Sequence, residues 1–286
     1  MRHKFYISIA DILIEVESSL SLKEMGIEKR YASFLGIPKN PFARVHLRWE
    51  ESLEEPRAMG DLIFDPGSIW RLFRNGEGFY AEIRYGGEEN KAVIIADKEW
   101  DNIVMKEKRG KDGWQSVFGI GGGEIILRVK MPITGGLVFH AAGIDYNGQG
   151  IMIVGHSGEG KSTMANFWKN EPNVIVMSDD RIAVRVIGDE VFCYGTPWGG
   201  SAEIASNHSV PLRAILLLEK SPEIEIHPLP PFATPMLLAR AFIPWWDEHL
   251  LELSMKSIHD IIARVPLYLL RWRPKQEALN LIKSIL

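Results

Sequence analysis

The chain has 286 residues, of which 46% are apolar and 24% charged, the balance of a soluble globular protein of one large or two ordinary domains. Its formal net charge of −4 gives no basic footprint for DNA or RNA, and its single cysteine, Cys193, excludes an internal disulfide and a cysteine zinc cluster. An acid at Asp11 interrupts the apolar start that a signal peptide requires, and no apolar run is long enough to span a bilayer. A soluble, cytoplasmic protein without a membrane or nucleic-acid partner is expected.

Strand alternation dominates residues 1 to about 120. Val45-His46-Leu47-Arg48-Trp49 and Phe79-Tyr80-Ala81-Glu82-Ile83-Arg84-Tyr85 alternate apolar with polar, as half-buried strands do. Turn signals recur at Asp65-Pro66-Gly67, Asn75-Gly76 and Gly86-Gly87, and Asn75-Gly76 between apolar segments predicts a hairpin. The mixed-charge stretch Lys106–Gly113 reads as an exposed loop. Gly119-Ile120-Gly121-Gly122-Gly123 reads as a boundary, because glycines cost entropy inside any element. A mostly-β domain over 1–122 and a second domain over 123–286 are expected, with no internal repeat.

In the second half, Gly136–Ile144 reads as a strand, Asn147-Gly148-Gln149-Gly150 as a tight turn, and Ile151-Met152-Ile153-Val154 as a buried strand. If the two strands pair about Gly148, residues whose numbers sum to about 296 face each other. His140 then falls opposite His156 or Ser157.

Gly155-His156-Ser157-Gly158-Glu159-Gly160-Lys161-Ser162 follows directly and fits the phosphate-binding pattern G-x-x-x-x-G-K-[ST]. Thr163–Lys169 then reads as a short helix ending before Pro172. Glycines let backbone N–H groups turn inward, the helix N-terminus adds positive dipole, and Lys161 adds a full charge. Gly155 through Thr163 are therefore the nucleotide-binding candidates, with the Ser162 hydroxyl offered to a Mg²⁺ carried by ATP.

Val174-Ile175-Val176-Met177-Ser178-Asp179-Asp180 has the profile of a buried parallel strand delivering two carboxylates at its tip. Phosphoryl transfer uses one acid beside the metal and another toward the attacking hydroxyl, and neighbouring strand residues point to opposite faces. Ala214–Glu219 reads as a further buried strand after a turn at Pro211. Pro235–Leu253 has helical apolar spacing interrupted by Pro244-Trp245-Trp246, a pair read as packing. Val265–Arg273 reads as a last strand, whose Arg271 and Arg273 read as solvated charges. Pro274 then opens a final amphipathic helix carrying Leu281, Ile282 and Ile285.

Three segments together resemble the HPr kinase/phosphorylase superfamily, whose core is related to phosphoenolpyruvate carboxykinase: Phe139-His140-Ala141-Ala142-Gly143, the Gly155–Ser162 loop and Ser178-Asp179-Asp180. The resemblance implies an α/β fold with a mixed-sheet P-loop core beside the N-terminal β domain. It implies a kinase dependent on ATP and Mg²⁺, with Asp180 as general base, Asp179 beside the metal, Ser162 as magnesium ligand, Lys161 on the phosphate and His140 nearby. His156 stands where the bifunctional enzymes carry an aspartate, and their downstream glutamate-arginine signature is missing. Gly195–Glu203 occupies that region, with Glu203 as a loosely matched second metal-side acid. The chain thus looks like a divergent member that phosphorylates a hydroxyl, on serine or threonine of a protein or peptide, and a homo-oligomer is allowed. The alternatives are a nucleotide-binding regulatory or assembly module that transfers nothing, and a small-molecule kinase.

Overall fold

A computed structural model describes residues 2–51, 53, 60–67, 70–76, 78–84, 91–108, 115–156, 158–200, 202–230 and 234–286. The chain divides into two compact units, Met1–Lys130 and Met131–Leu286.

Unit 1 is built on an eight-stranded mixed sheet. In chain order its elements are β1 (His3–Ile9), β2 (Ile12–Ser18), α1 (Glu28–Tyr31), β3 (Ala43–Trp49), β4 (Asp61–Phe64), β5 (Trp70–Asn75), β6 (Gly78–Arg84), β7 (Lys91–Asp97) and β8 (Asn102–Glu107). The strand order is β1-β2-β3-β8-β7-β6-β5-β4, with β2, β3 and β8 mutually parallel and the other pairs antiparallel. In β3 the expected alternation holds: Val45 and Leu47 are buried, His46 and Arg48 exposed. The Asn75-Gly76 signal joins β5 to β6 with Asn75 opposite Gly78. At Asp65-Pro66-Gly67 the Asp65 carboxylate accepts the Gly67 N–H at 2.8 Å. Gly86-Gly87 lies outside the described residues.

Three expectations for this unit change. Strand β6 is buried from Gly78 to Ile83 rather than half-buried, because Glu82 is covered while paired with Arg71 and Arg84. Lys106 and Glu107 belong to β8, and Glu107 is fully buried, accepting the Val117 N–H at 2.8 Å and the Ser116 hydroxyl; of the expected loop, Lys108 is exposed and 109–113 lie outside the described residues. The glycine run is helical, not a break. Phe118–Gly122 forms a wide turn continuing into α2 (Gly123–Ile133). A Cβ at Gly119 would stand 2.4 Å from Ile27, so close packing favours glycine there, while one at Gly122 would meet the flexible end of Met105 at 3.0 Å.

Unit 2 continues with β9 (Gly136–Tyr146), β10 (Gln149–Val154), α3 (Lys161–Trp168), β11 (Val174–Ser178), β12 (Arg181–Ile187), β13 (Glu190–Gly195), β14 (Ser209–Lys220), β15 (Glu225–Leu229), α4 (Thr234–Leu238), α5 (Glu248–Ile262), β16 (Leu267–Trp272) and α6 (Gln276–Lys283). Strand β14 lies parallel to both β10 and β16, while β9 pairs antiparallel with β10. The continuous apolar run of β10 follows from burial on two faces. Met152 and Val154 pack into one core with Ile258 and Ile261 of α5, and Ile151 and Ile153 into another with Met164, Ala165 and Trp168 of α3 and Leu279 and Ile282 of α6. The fold is mixed α/β, dominated by strands.

Here too some local expectations are corrected. Strand β11 runs antiparallel to β9, and its Ile175 side chain is exposed, so it is not a buried parallel strand. Pro211 sits inside β14, opposite Phe192 of β13, rather than in a preceding turn. Helix α3 starts at Lys161, two residues early. The stretch 235–253 divides into α4 and α5, the latter capped by Asp247 accepting the Leu250 N–H; Trp246 is buried, whereas Trp245 is 56% exposed and so is not the packing residue expected. Helix α6 begins at Gln276, preceded by Lys275 in an extended conformation, so Pro274 does not open it as expected.

Candidate functional site

The glycine loop leaves β10 at Val154 and enters α3 at Lys161. Gly158 and Gly160 have φ of +86° and +99°, the left-handed region that side chains rarely adopt. A turn forms as Glu159 N–H donates to the His156 carbonyl at 3.2 Å, and the helix begins with Met164 N–H donating to the Gly160 carbonyl at 2.8 Å. Lys161 folds back across the loop, its Nζ donating to the carbonyls of Gly155 at 2.9 Å and His156 at 3.4 Å. It is only 7% exposed, and burial pushes its ammonium below the usual lysine range, with Arg240 and Arg181 acting in the same direction and Asp180 and Glu159 opposing. Ser162 and Thr163 occupy the first turn of α3. Ser157 lies outside the described residues.

The hairpin register places Val154 opposite Ala141, a sum of 295, so His140 reaches the level of Gly155. On its other side, β9 is followed by the chain from Val174 to Ile187. The pairing shifts by one residue between Val176 and Ser178, a bulge, before Arg181 pairs with His140. Asp179 and Asp180 follow that bulge, in the bend between β11 and β12, and enter two environments. Asp180 Oδ1 lies 2.9 Å from His140 Nε2, and its Oδ2 accepts from Arg181 Nη1. Burial alone would raise the Asp180 carboxyl, but the His140 hydrogen bond and the charges of Arg181, His140 and Lys161 outweigh it and hold the group below the ordinary carboxylate range.

Asp179 is 1% exposed, and its two oxygens accept the backbone N–H groups of Gly200 at 2.7 Å and Ala202 at 2.9 Å. A Cβ at Gly200 would stand 2.9 Å from Asp179 Oδ2. This carboxylate is held by Gly200 and Ala202. Glu203 is exposed with φ +51°, and among the described residues no group of three or more His, Cys, Asp or Glu side chains gathers to hold a metal.

Sequence reasoning missed three contributors. Residues 240–242 bridge to β9, with His140 N–H donating to the Arg240 carbonyl and Phe242 N–H to the Val138 carbonyl, both at 2.8 Å. Phe242 thereby stacks on His140, ring centroids 6.4 Å apart and planes within 15°, and carries the Arg181 guanidinium 4.6 Å above its face. Arg181 adjoins Asp180 in sequence; Arg240 and Phe242 lie about 80 residues after the loop and carry no local signal. Arg271, by contrast, pairs at the surface with Glu219 at 3.1 Å, and Arg273 is exposed, the solvated reading given to both.

Fold and site together define a mixed α/β protein with a lysine-closed glycine loop beside a histidine–aspartate pair. The chain belongs to the SynChlorMet cassette protein ScmC family, whose model matches residues 123–275, more than half of the chain. Among solved structures it is similar to the Hpr(Ser) kinase/phosphatase from Coxiella burnetii, 12% identical, with 52% of this chain and 87% of that chain covered at a TM-score of 0.32. No curated protein sequence matches it. No helix among the described residues is long and apolar enough to cross a membrane.

Proposed function

We propose that this protein is a phosphotransferase that binds ATP·Mg²⁺ on the Gly155–Ser162 loop and moves the γ-phosphoryl group to a hydroxyl, on serine or threonine of a protein or peptide. The observation that carries the reading is the Asp180 carboxylate, held ionised and oriented by His140 in electrostatic range of Lys161. Lys161 and the first-turn N–H groups of α3 supply the positive field that a triphosphate needs. A loose phosphoryl-transfer transition state asks little of its base before bond formation, so a carboxylate of lowered pKa serves to align the hydroxyl and take its proton late. Magnesium, arriving with the nucleotide, would neutralise phosphate charge; it keeps several waters and needs few protein ligands, and Ser162 in the first turn of α3 would be its protein contact.

One observation favours a second reading. Both Asp180 oxygens are already engaged, by His140 and Arg181, as they would be in a nucleotide-binding module that transfers nothing. Incubation with γ-labelled ATP and lysate, using the wild type and Asp180→Asn, separates the two. Label on a protein or peptide band that disappears in the variant, with ATP binding retained, supports the kinase. Transfer that survives in Asp180→Asn overturns the assignment of the base, and binding without transfer in the wild type supports the module.

A further inference from the structure

The glycine loop is tied down from a side that the phosphate pattern does not describe. Lys161 closes it through the carbonyls of Gly155 and His156. Two further groups grip the same turn. The Glu159 carboxylate turns back on its own loop, Oε2 accepting the His156 N–H, and lies so close that a Cβ at Gly155 would meet it at 2.8 Å. Trp272, the last residue of β16 and 2% exposed, donates its indole N–H to the Glu159 carbonyl at 3.2 Å. Its ring lies against Gly160, where an added Cβ would approach it to 2.6 Å.

We infer that Glu159 and Trp272 are positioning residues that preform the loop for its anion, Glu159 by closing the His156–Glu159 turn and Trp272 by fixing the Glu159 peptide to the end of β16. The inference rests on the phosphate-binding reading for its purpose, but the clamp itself stands on hydrogen bonds within the protein. An anion cradle gains affinity when its N–H groups are already aimed, because the cost of ordering them is not charged to the ligand. The Glu159 carbonyl and the Gly160 N–H share one peptide group, so the indole bond on the carbonyl sets the direction of that N–H. Since β16 leads directly toward α6, which packs on α3, the loop is coupled to the same apolar core that carries its helix.

The Glu159 bond must be separated from the Glu159 charge, which lies near any bound phosphate. Glu159→Gln and Glu159→Ala both remove the charge, and only the former keeps an acceptor for the His156 N–H. Trp272→Phe keeps an aromatic ring and removes the donor. The full chain is measured in two ways: hydrogen exchange of the segment 155–161 without nucleotide, and titration with Mg²⁺·ATP. Loss of one such hydrogen bond corresponds to a roughly fivefold effect. Exchange at 155–161 should accelerate about fivefold in Glu159→Ala and Trp272→Phe relative to Glu159→Gln and wild type, with the β10 and β14 amides unmoved. ATP should bind about fivefold more weakly to Glu159→Ala than to Glu159→Gln. Unchanged exchange in both variants overturns the clamp, even where wild type binds ATP. Faster loop exchange in a protein that fails to bind ATP upholds the clamp and removes the nucleotide reading instead. Exchange that rises equally over β10 and β14 reports general loosening and also overturns it.

Discussion

His140 Nε2 lies 2.9 Å from Asp180 Oδ1, across two strands whose register is set by a hairpin on one side and a bulge on the other. The histidine is itself held, its backbone N–H bonded to the Arg240 carbonyl and its ring stacked on Phe242. An imidazole fixed this way can direct one carboxylate oxygen without swinging away.

Replacing His140 by Ala removes the hydrogen bond that most opposes the burial of Asp180. The sign follows from the direction of the shift. A carboxyl held below its ordinary range keeps its ionised form as pH falls, and without His140 it protonates at a higher pH. The acid limb of the transfer rate against pH should therefore move upward, and the plateau should fall by roughly tenfold or more, near the lower range for positioned acid–base groups. An acid limb unchanged in the variant would show that Asp180 is not the group titrating.

Gly160 and Gly148 make a controlled comparison. Both have positive φ, +99° and +79°, but a Cβ at Gly160 meets Trp272 whereas one at Gly148 meets nothing within 4 Å. Gly148→Ala should cost about 1 kcal/mol from backbone conformation alone. Gly160→Ala adds an overpacked contact of about 1–3 kcal/mol and should unfold at clearly lower denaturant. Equal midpoints for the two variants would mean that the indole yields freely.

Unit 1 offers a pH test independent of the site. The Glu82 carboxylate is buried between Arg71 and Arg84, the latter at 3.0 Å; burial raises it, and the two guanidinium groups outweigh that and hold it below the usual range. Its stabilisation is present above the unfolded value of about 4.3 and is lost as pH falls through the lower folded value. Glu82→Gln should flatten the acid side of the stability curve for this unit and lower its stability at neutral pH by about 1–3 kcal/mol. A steep acid loss that persists in the variant would assign the effect to another carboxylate.

How much of this was legible from the sequence depends on how local each signal is. The loop, its lysine and the hairpin that brings His140 alongside are set by neighbouring residues, so spacing alone located them. The direction of β11 was not legible, because a short apolar run ending in acids looks the same in a parallel or an antiparallel strand. The helical form of the glycines at 119–123 was not legible, since composition cannot distinguish flexibility from the close approach of Ile27. Phe242 and Trp272 reach the site only through strand pairing over a hundred residues, and nothing near either one announces it.

Asp179 is expected beside the metal and is also bonded to two backbone N–H groups, and one substitution separates the two roles. Both its oxygens accept N–H groups, from Gly200 and Ala202, in a nearly closed environment. In Asp179→Asn one of those oxygens becomes an NH₂ facing a backbone donor, so one buried N–H loses its partner, at a cost of about 1–3 kcal/mol. A clamp of this kind predicts a lower unfolding midpoint and faster hydrogen exchange over residues 199–203, with the dependence of ATP binding on Mg²⁺ concentration unchanged. A metal-side carboxylate predicts the reverse: the fold keeps its stability and the Mg²⁺ requirement rises. Because the amide still accepts one of the two N–H groups and a methyl accepts neither, the clamp also requires Asp179→Ala to be less stable than Asp179→Asn by a further ~1–3 kcal/mol, whereas a metal-side ligand would leave the two variants alike in stability and separate them in Mg²⁺ dependence.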